Sequence, residues 1–138
     1  REDPTFQKAF QLRDKLNAVK EYYDYVIIDC PPTLGLITTN ALTASDSVII
    51  PVQCEFFALE GLSQLMNTIR LVKKKLNPDL KIDGVVLTMR DSRSNLGKQV
   101  AEEIEKFLWY ETSYGDSNLS YALNNVIIPY CKDNKLIK

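Results

Sequence analysis

The sequence predicts an α/β fold with a mainly parallel sheet flanked by helices, and three observations carry that prediction. The runs Tyr25-Val26-Ile27-Ile28-Asp29, Ser47-Val48-Ile49-Ile50-Pro51-Val52 and Gly84-Val85-Val86-Leu87-Thr88 are short, β-branched and without polar alternation, as strands buried on both faces of a parallel sheet are. Stretches of helical periodicity lie between them. Alternation of strand and helix in turn calls for repeated crossovers, which build parallel sheets. A length of 138 residues, 45% hydrophobic and 25% charged, suits a single α/β domain over 1–138.

Each element has its own local reason. Asp3-Pro4 offers an N-cap followed by proline in the first turn. Phe6, Ala9, Phe10, Arg13, Leu16 and Val19 then recur at helical spacing and predict one amphipathic helix from Pro4 to near Tyr22. Between the second and third apolar runs, Leu59, Leu62, Leu65, Met66, Ile69, Val72 and Leu76 form one stripe. Lys73-Lys74-Lys75 complements the dipole in its last turn, and Asn77-Pro78 stops it. A further helix from about Asn95 to Leu108 carries Val100, Ile104, Phe107 and Leu108 on its apolar side, and Val126-Ile127-Ile128-Pro129 reads as a closing strand. Trp109 to Asn125 is rich in Tyr, Ser, Asn and Gly, and no pattern assigns it.

Composition excludes several chemistries. The chain has no histidine, and its three cysteines, Cys30, Cys54 and Cys131, show no C-x-x-C spacing, which removes Ser-His and Cys-His catalysis and most zinc sites. The cysteines read as buried reduced thiols. Seventeen basic residues against eighteen acidic give a net charge of −1, so DNA binding requires a local basic patch. No apolar run approaches the roughly 20 residues of a membrane-spanning helix, and the start is too polar for a secretory signal. A cytoplasmic protein without a membrane partner is expected.

Ligands of open parallel sheets sit beyond the carboxyl ends of the strands. The first run ends there in Asp29-Cys30-Pro31-Pro32, a carboxylate followed by two residues of fixed φ. Such an aspartate suits holding Mg²⁺ through water beside a phosphate-sensing loop; the alternative is a helix cap or a solvated turn. Arg90, Arg93 and Lys98 flank a loop that opens a helix, where backbone N–H groups also face an anion. Phe56 and Phe57 read as core or subunit-contact aromatics.

Three stretches, Tyr23 to Gly35, Asn40 to Asp46 and Pro51 to Leu62, resemble the ParA/Soj chromosome and plasmid partition ATPases. The match continues through Leu87-Thr88-Met89-Arg90-Asp91-Ser92-Arg93-Ser94-Asn95-Leu96-Gly97 and covers about Arg1 to Leu108. This resemblance implies a partial P-loop NTPase fold, ATP and Mg²⁺ as cofactors, and a nucleotide-closed dimer that binds DNA without sequence preference on the nucleoid. It also implies a ParB-like centromere-binding partner that stimulates hydrolysis. By the same resemblance Asp29 is the Walker B acid that contacts Mg²⁺, and Pro31 and Pro32 open the switch II segment. Thr88, Met89 and Pro129 lie near the adenine, and Arg93 contacts DNA with Arg90 and Lys98 beside it.

The sequence also departs from that family. It contains no G-x-x-x-x-G-K-[ST] or K-G-G-x-G-K-[ST] motif, so the phosphate cradle and its lysine are not among these residues. After Ile128-Pro129 it reads Tyr130-Cys131-Lys132-Asp133 where the family has Arg-Asn. The chain alone is therefore expected not to hydrolyse ATP. It reads as the C-terminal portion of a ParA-type protein or, alternatively, as a truncated paralogue acting as a non-catalytic binding module. Without the P-loop strand, the first two apolar runs are expected to pair directly, or with another segment or a second copy. A homodimer or higher homo-oligomer is the expected outcome.

Overall fold

The computed structural model describes residues 4–31, 33–89, 93–114, 126–130 and 135–137. They fall into two compact units, Arg1–Ser47 with Leu65–Leu80, and Val48–Gln64 with Lys81–Lys138.

In the first unit the predicted single N-terminal helix is two, α1 (Pro4–Lys8) and α2 (Gln11–Asn17), followed by a 3₁₀ turn at Lys20–Tyr22. The chain tightens at the break: the Ala9 and Phe10 amides donate to Phe6 and Gln7, three residues back, at 3.1 and 3.2 Å. One side chain from α3 (Leu36–Ala44) makes the break stable. Asn40 Nδ2 donates to the Lys8 carbonyl (2.8 Å) at the end of α1 and to the Leu36 carbonyl (3.0 Å), while its Oδ1 accepts from the Leu12 amide (3.2 Å) in the first turn of α2. A single asparagine thus satisfies terminal groups of both short helices. The Phe6 and Phe10 rings meet at 5.0 Å with their planes tilted by 57°, and the Arg13 guanidinium lies 4.2 Å from the Phe10 ring centre. Asp3 lies outside the described residues.

Helix α4 (Ala58–Lys75) begins in the second unit and continues in the first. Its buried row of Leu62, Met66, Ile69 and Val72 lies within the predicted stripe. At its end the Leu76 and Asn77 amides share the Val72 carbonyl, and Asn77 Nδ2 donates to the carbonyls of Leu42 (3.0 Å) and Ser45 (2.8 Å), closing the C-terminus of α3.

The first apolar run departs most from expectation. Tyr25–Asp29 forms no strand, and Tyr25 and Ile27 are 88% and 93% exposed. A strand exists only where a neighbour supplies backbone partners, and among the described residues none reaches this segment.

The second unit holds a four-stranded sheet of order β1 (Ser47–Gln53), β2 (Lys81–Thr88), β3 (Val126–Tyr130) and β4 (Lys135–Ile137). β2 and β3 are parallel, with Val85 opposite Val126 and Val86 opposite Ile127; β3 and β4 are antiparallel, with Ile128 opposite Ile137. The Cys54 amide donates to the Thr88 carbonyl at 3.1 Å, joining the carboxyl ends of β1 and β2 as parallel neighbours require. Central β2 buries Ile82, Gly84, Val85 and Leu87, as its composition predicts. β1 is an edge strand and alternates instead, with Ile50 and Val52 buried and Ile49 60% exposed. That edge accommodates Pro51, which has no amide to donate. Helix α5 (Asn95–Tyr114) buries Ala101, Ile104 and Leu108, and runs past the predicted end into the stretch the sequence left unassigned. The short β4 carried no sequence signal. Residues 115–125 lie outside the described residues.

Replacing Asn40 by alanine should cost about 1–2 kcal/mol of stability. The Leu12 amide should exchange with solvent faster in that variant, and an unchanged Leu12 exchange rate would contradict the capping role.

Candidate functional site

The sequence-predicted site residues divide between the units. Asp29 and Pro31 belong to the first, and Pro32 lies outside the described residues. Asp29 is exposed, and among the described residues no donor reaches its carboxylate. Cys30, expected to be a buried thiol, is exposed; Cys54 is half-buried, and Cys131 lies outside the described residues. The Cys30 Sγ lies 4.0 Å from the Ile28 carbonyl oxygen. Partial burial of the sulfur pushes this thiol above its usual range, and the neighbouring Asp29 carboxylate adds to the shift.

The loop after Pro31 is fastened at its far end. Thr38 Oγ1 donates to the Thr33 carbonyl, and the Thr39 amide and hydroxyl both reach the Gly35 carbonyl, at 3.0 and 3.1 Å. Gly35 is the N-cap of α3 and supplies no capping side chain. Sequence reasoning gave Thr38 no part, since a threonine in a first helical turn is ordinary.

Donor chemistry limits what Asp29 can hold. Among the described residues no group of three or more cysteine, aspartate or glutamate side chains forms a metal cage. A single exposed carboxylate fits Mg²⁺ that keeps its waters and takes its other oxygens from phosphate. It does not fit a metal held by protein alone.

In the second unit the remaining candidates gather at the carboxyl end of the sheet. Thr88 closes β2, and continuing the register from Val85 opposite Val126 sets Thr88 level with Pro129 on β3. Met89 follows with φ 52°, in the left-handed region a bulky side chain rarely adopts, and its side chain is exposed. Arg90 lies outside the described residues. Arg93 is exposed in the turn before α5, and Lys98 is exposed within its first turns. Ser94 caps that helix: its Oγ lies 3.4 Å from the Gly97 amide, and its carbonyl accepts from the Lys98 amide at 3.3 Å. Phe56 and Phe57, just past β1, are exposed and meet edge to face at 5.1 Å, so they are not core. Lys74 and Lys75 are exposed and Lys73 is half-buried, as a solvated helix end requires.

Comparison with known proteins gives these positions a context. The family model described as an AAA domain matches residues 3–82. The sporulation initiation inhibitor protein Soj of Bacillus subtilis is 66% identical over 104 residues, which are 75% of this chain and 41% of that protein. The chromosome partitioning protein ParA of Myxococcus xanthus is 61% identical over 100 residues, 72% of this chain and 35% of that protein. Among solved structures, cobyrinic acid a,c-diamide synthase from Mycobacterium smegmatis, with bound ATP analogue and magnesium, superposes with a TM-score of 0.66 at 41% identity. That likeness covers 71% of this chain and 40% of the synthase. The chain spans about two-fifths of the length of the curated relatives it matches. Among the described residues no helix is long and apolar enough to cross a membrane.

The raised pKa of Cys30 means that little thiolate is present near neutral pH, so alkylation by iodoacetamide should be slow and should accelerate with rising pH. Asp29→Asn removes the second cause of the shift and should speed alkylation at pH 8. An identical rate profile in the variant would contradict the coupling.

Proposed function

The chain belongs to the ParA/Soj family of chromosome-partitioning ATPases, and from that membership we propose that it forms the Walker B and DNA-facing part of an ATP-dependent partition switch. The observation that carries this reading is the aspartate standing free at Asp29, ahead of a proline loop fastened to α3, in a chain that shares 66% of 104 positions with Soj. Asp29 would hold Mg²⁺ through water, and Mg²⁺ when bound neutralises phosphate charge. Pro31 and Pro32 stiffen the segment that follows it. Thr88, Met89 and Pro129, converging at one end of the sheet, would flank the adenine. Arg90, Arg93 and Lys98 would contact DNA phosphates, a reading supported by the exposure of Arg93 and Lys98 beside the start of α5.

The reading extends to partners. A ParB-like centromere-binding protein would stimulate hydrolysis, and the site of action would be cytoplasmic, on the nucleoid. The exposed apolar residues Tyr25–Ile27 and the edge strand β1 support completion by further polypeptide or by a second copy. A homodimer remains the assembly proposed.

These residues supply no phosphate-binding loop, so the isolated chain should bind Mg·ATP weakly and release no phosphate. Calorimetry and a phosphate-release assay check this. Micromolar affinity with turnover abolished by Asp29→Asn would show that the chain holds a complete site after all.

DNA binding by the isolated chain should be weak and salt-sensitive. In a gel shift at low salt, Arg93→Ala should reduce it further, and equal binding by the variant would remove Arg93 from the DNA surface.

A further inference from the structure

We propose that Thr38 is a positioning residue that fixes the loop following Asp29, an inference that rests on reading Asp29 as the Mg²⁺-contacting carboxylate. Two buried polar side chains occur among the described residues, Thr38 at 5% and Thr43 at 3% exposure, and their hydroxyls differ in destination. Thr43 bonds back to the Thr39 carbonyl (2.7 Å) and Thr39 to the Gly35 carbonyl (3.1 Å), each four residues earlier, the usual habit of threonine in a helix. Thr38 passes over the equivalent carbonyl, that of Leu34, and donates to Thr33, which lies in the loop. Such a bond adds nothing to the helix ladder; it fastens the loop to the helix.

The helix is a firm anchor for that purpose. Asn40 ties its first turns to the ends of α1 and α2, and Asn77 closes its last carbonyls. Gly35 at the N-cap has no side chain to share the task. The hydroxyl of buried Thr38 therefore fastens the loop at Thr33, close in sequence to Asp29. Loss of that hydroxyl would leave the helix intact and release Thr33. A small displacement of a positioning segment lowers turnover more than it lowers substrate affinity.

The test uses the complete polypeptide that carries this sequence. Thr38→Val keeps the shape and removes the hydroxyl, and Thr38→Ser keeps the hydroxyl. In the valine variant the amides of residues 40–44 should stay protected from exchange, which shows the helix intact. ATP turnover should fall about tenfold with KM for ATP within about twofold, and serine should restore turnover. Where the valine variant does not fold, Thr38→Ala is read in the same way. Unchanged turnover in the valine variant, or a serine variant that behaves like valine, overturns the proposal. Asp29→Asn separates the two readings. If it retains full hydrolysis, the Asp29 assignment fails, whereas abolished hydrolysis with turnover intact in Thr38→Val overturns the positioning role alone.

Discussion

A strand's backbone donors and acceptors must be paired from outside the strand, and this requirement governs the rest of the structure. Gly84–Thr88 and Tyr25–Asp29 are both short, largely apolar runs without polar alternation, and they have opposite fates. The first lies between β1 and β3, so its amides and carbonyls find partners and its apolar side chains are buried. The second has no strand neighbour among the described residues, and Ile27 stands almost fully exposed. Hydrophobic burial favours a buried strand in both places, yet it cannot offset unpaired backbone groups. Composition states what a run needs; neighbours decide whether it is met.

The helical part of the first unit solves the same pairing problem with side chains. Asn40 and Asn77 each carry a donor group that reaches two carbonyls, and Asn40 adds an acceptor for the Leu12 amide. These bonds span sequence separations of up to 35 residues. They leave no periodic trace, which is why the sequence predicted one long N-terminal helix where two short ones form. The apolar spacing of Phe6, Ala9 and Phe10 is compatible with either, and the choice is made by an asparagine far along the chain.

Legibility followed the range of the interactions involved. β1, β2, α4 and the first part of α5 were readable because local periodicity and end signals, such as the lysines and Asn77-Pro78 after α4, suffice to define them. The alternating burial of β1 was not readable, because being at an edge is a property of the sheet. β4 was invisible because its three residues are too short for a pattern. At the candidate site, Asp29 was conspicuous as a carboxylate ending an apolar run. Its exposure was not, since it follows from the missing strand neighbour, and Cys30 beside it shares that exposure for the same reason. Pro129 was singled out by family resemblance alone, and Arg93 by that resemblance together with its place in a basic loop that opens a helix. Thr38 was hidden because the destination of a hydroxyl is not encoded in its spacing.

These features bear on how a loop could serve as a switch. A neutral hydroxyl–carbonyl bond contributes about 1 kcal/mol net. Thr38 therefore holds the Thr33 carbonyl firmly enough to define one arrangement of the loop, but not beyond the reach of a ligand. A ligand shifts a two-state equilibrium only by its differential affinity, and a bond of this size is matched by a preference of roughly fivefold to tenfold. On the proposed reading phosphate and Mg²⁺ would bind near Asp29, and interactions between such charged groups readily exceed that difference. A loop held by several charged pairs would resist the same ligand, and one with no fastening would have no defined resting state. On the proposed reading, a single buried threonine on an anchored helix gives the segment after Asp29 a resting position that nucleotide can still change.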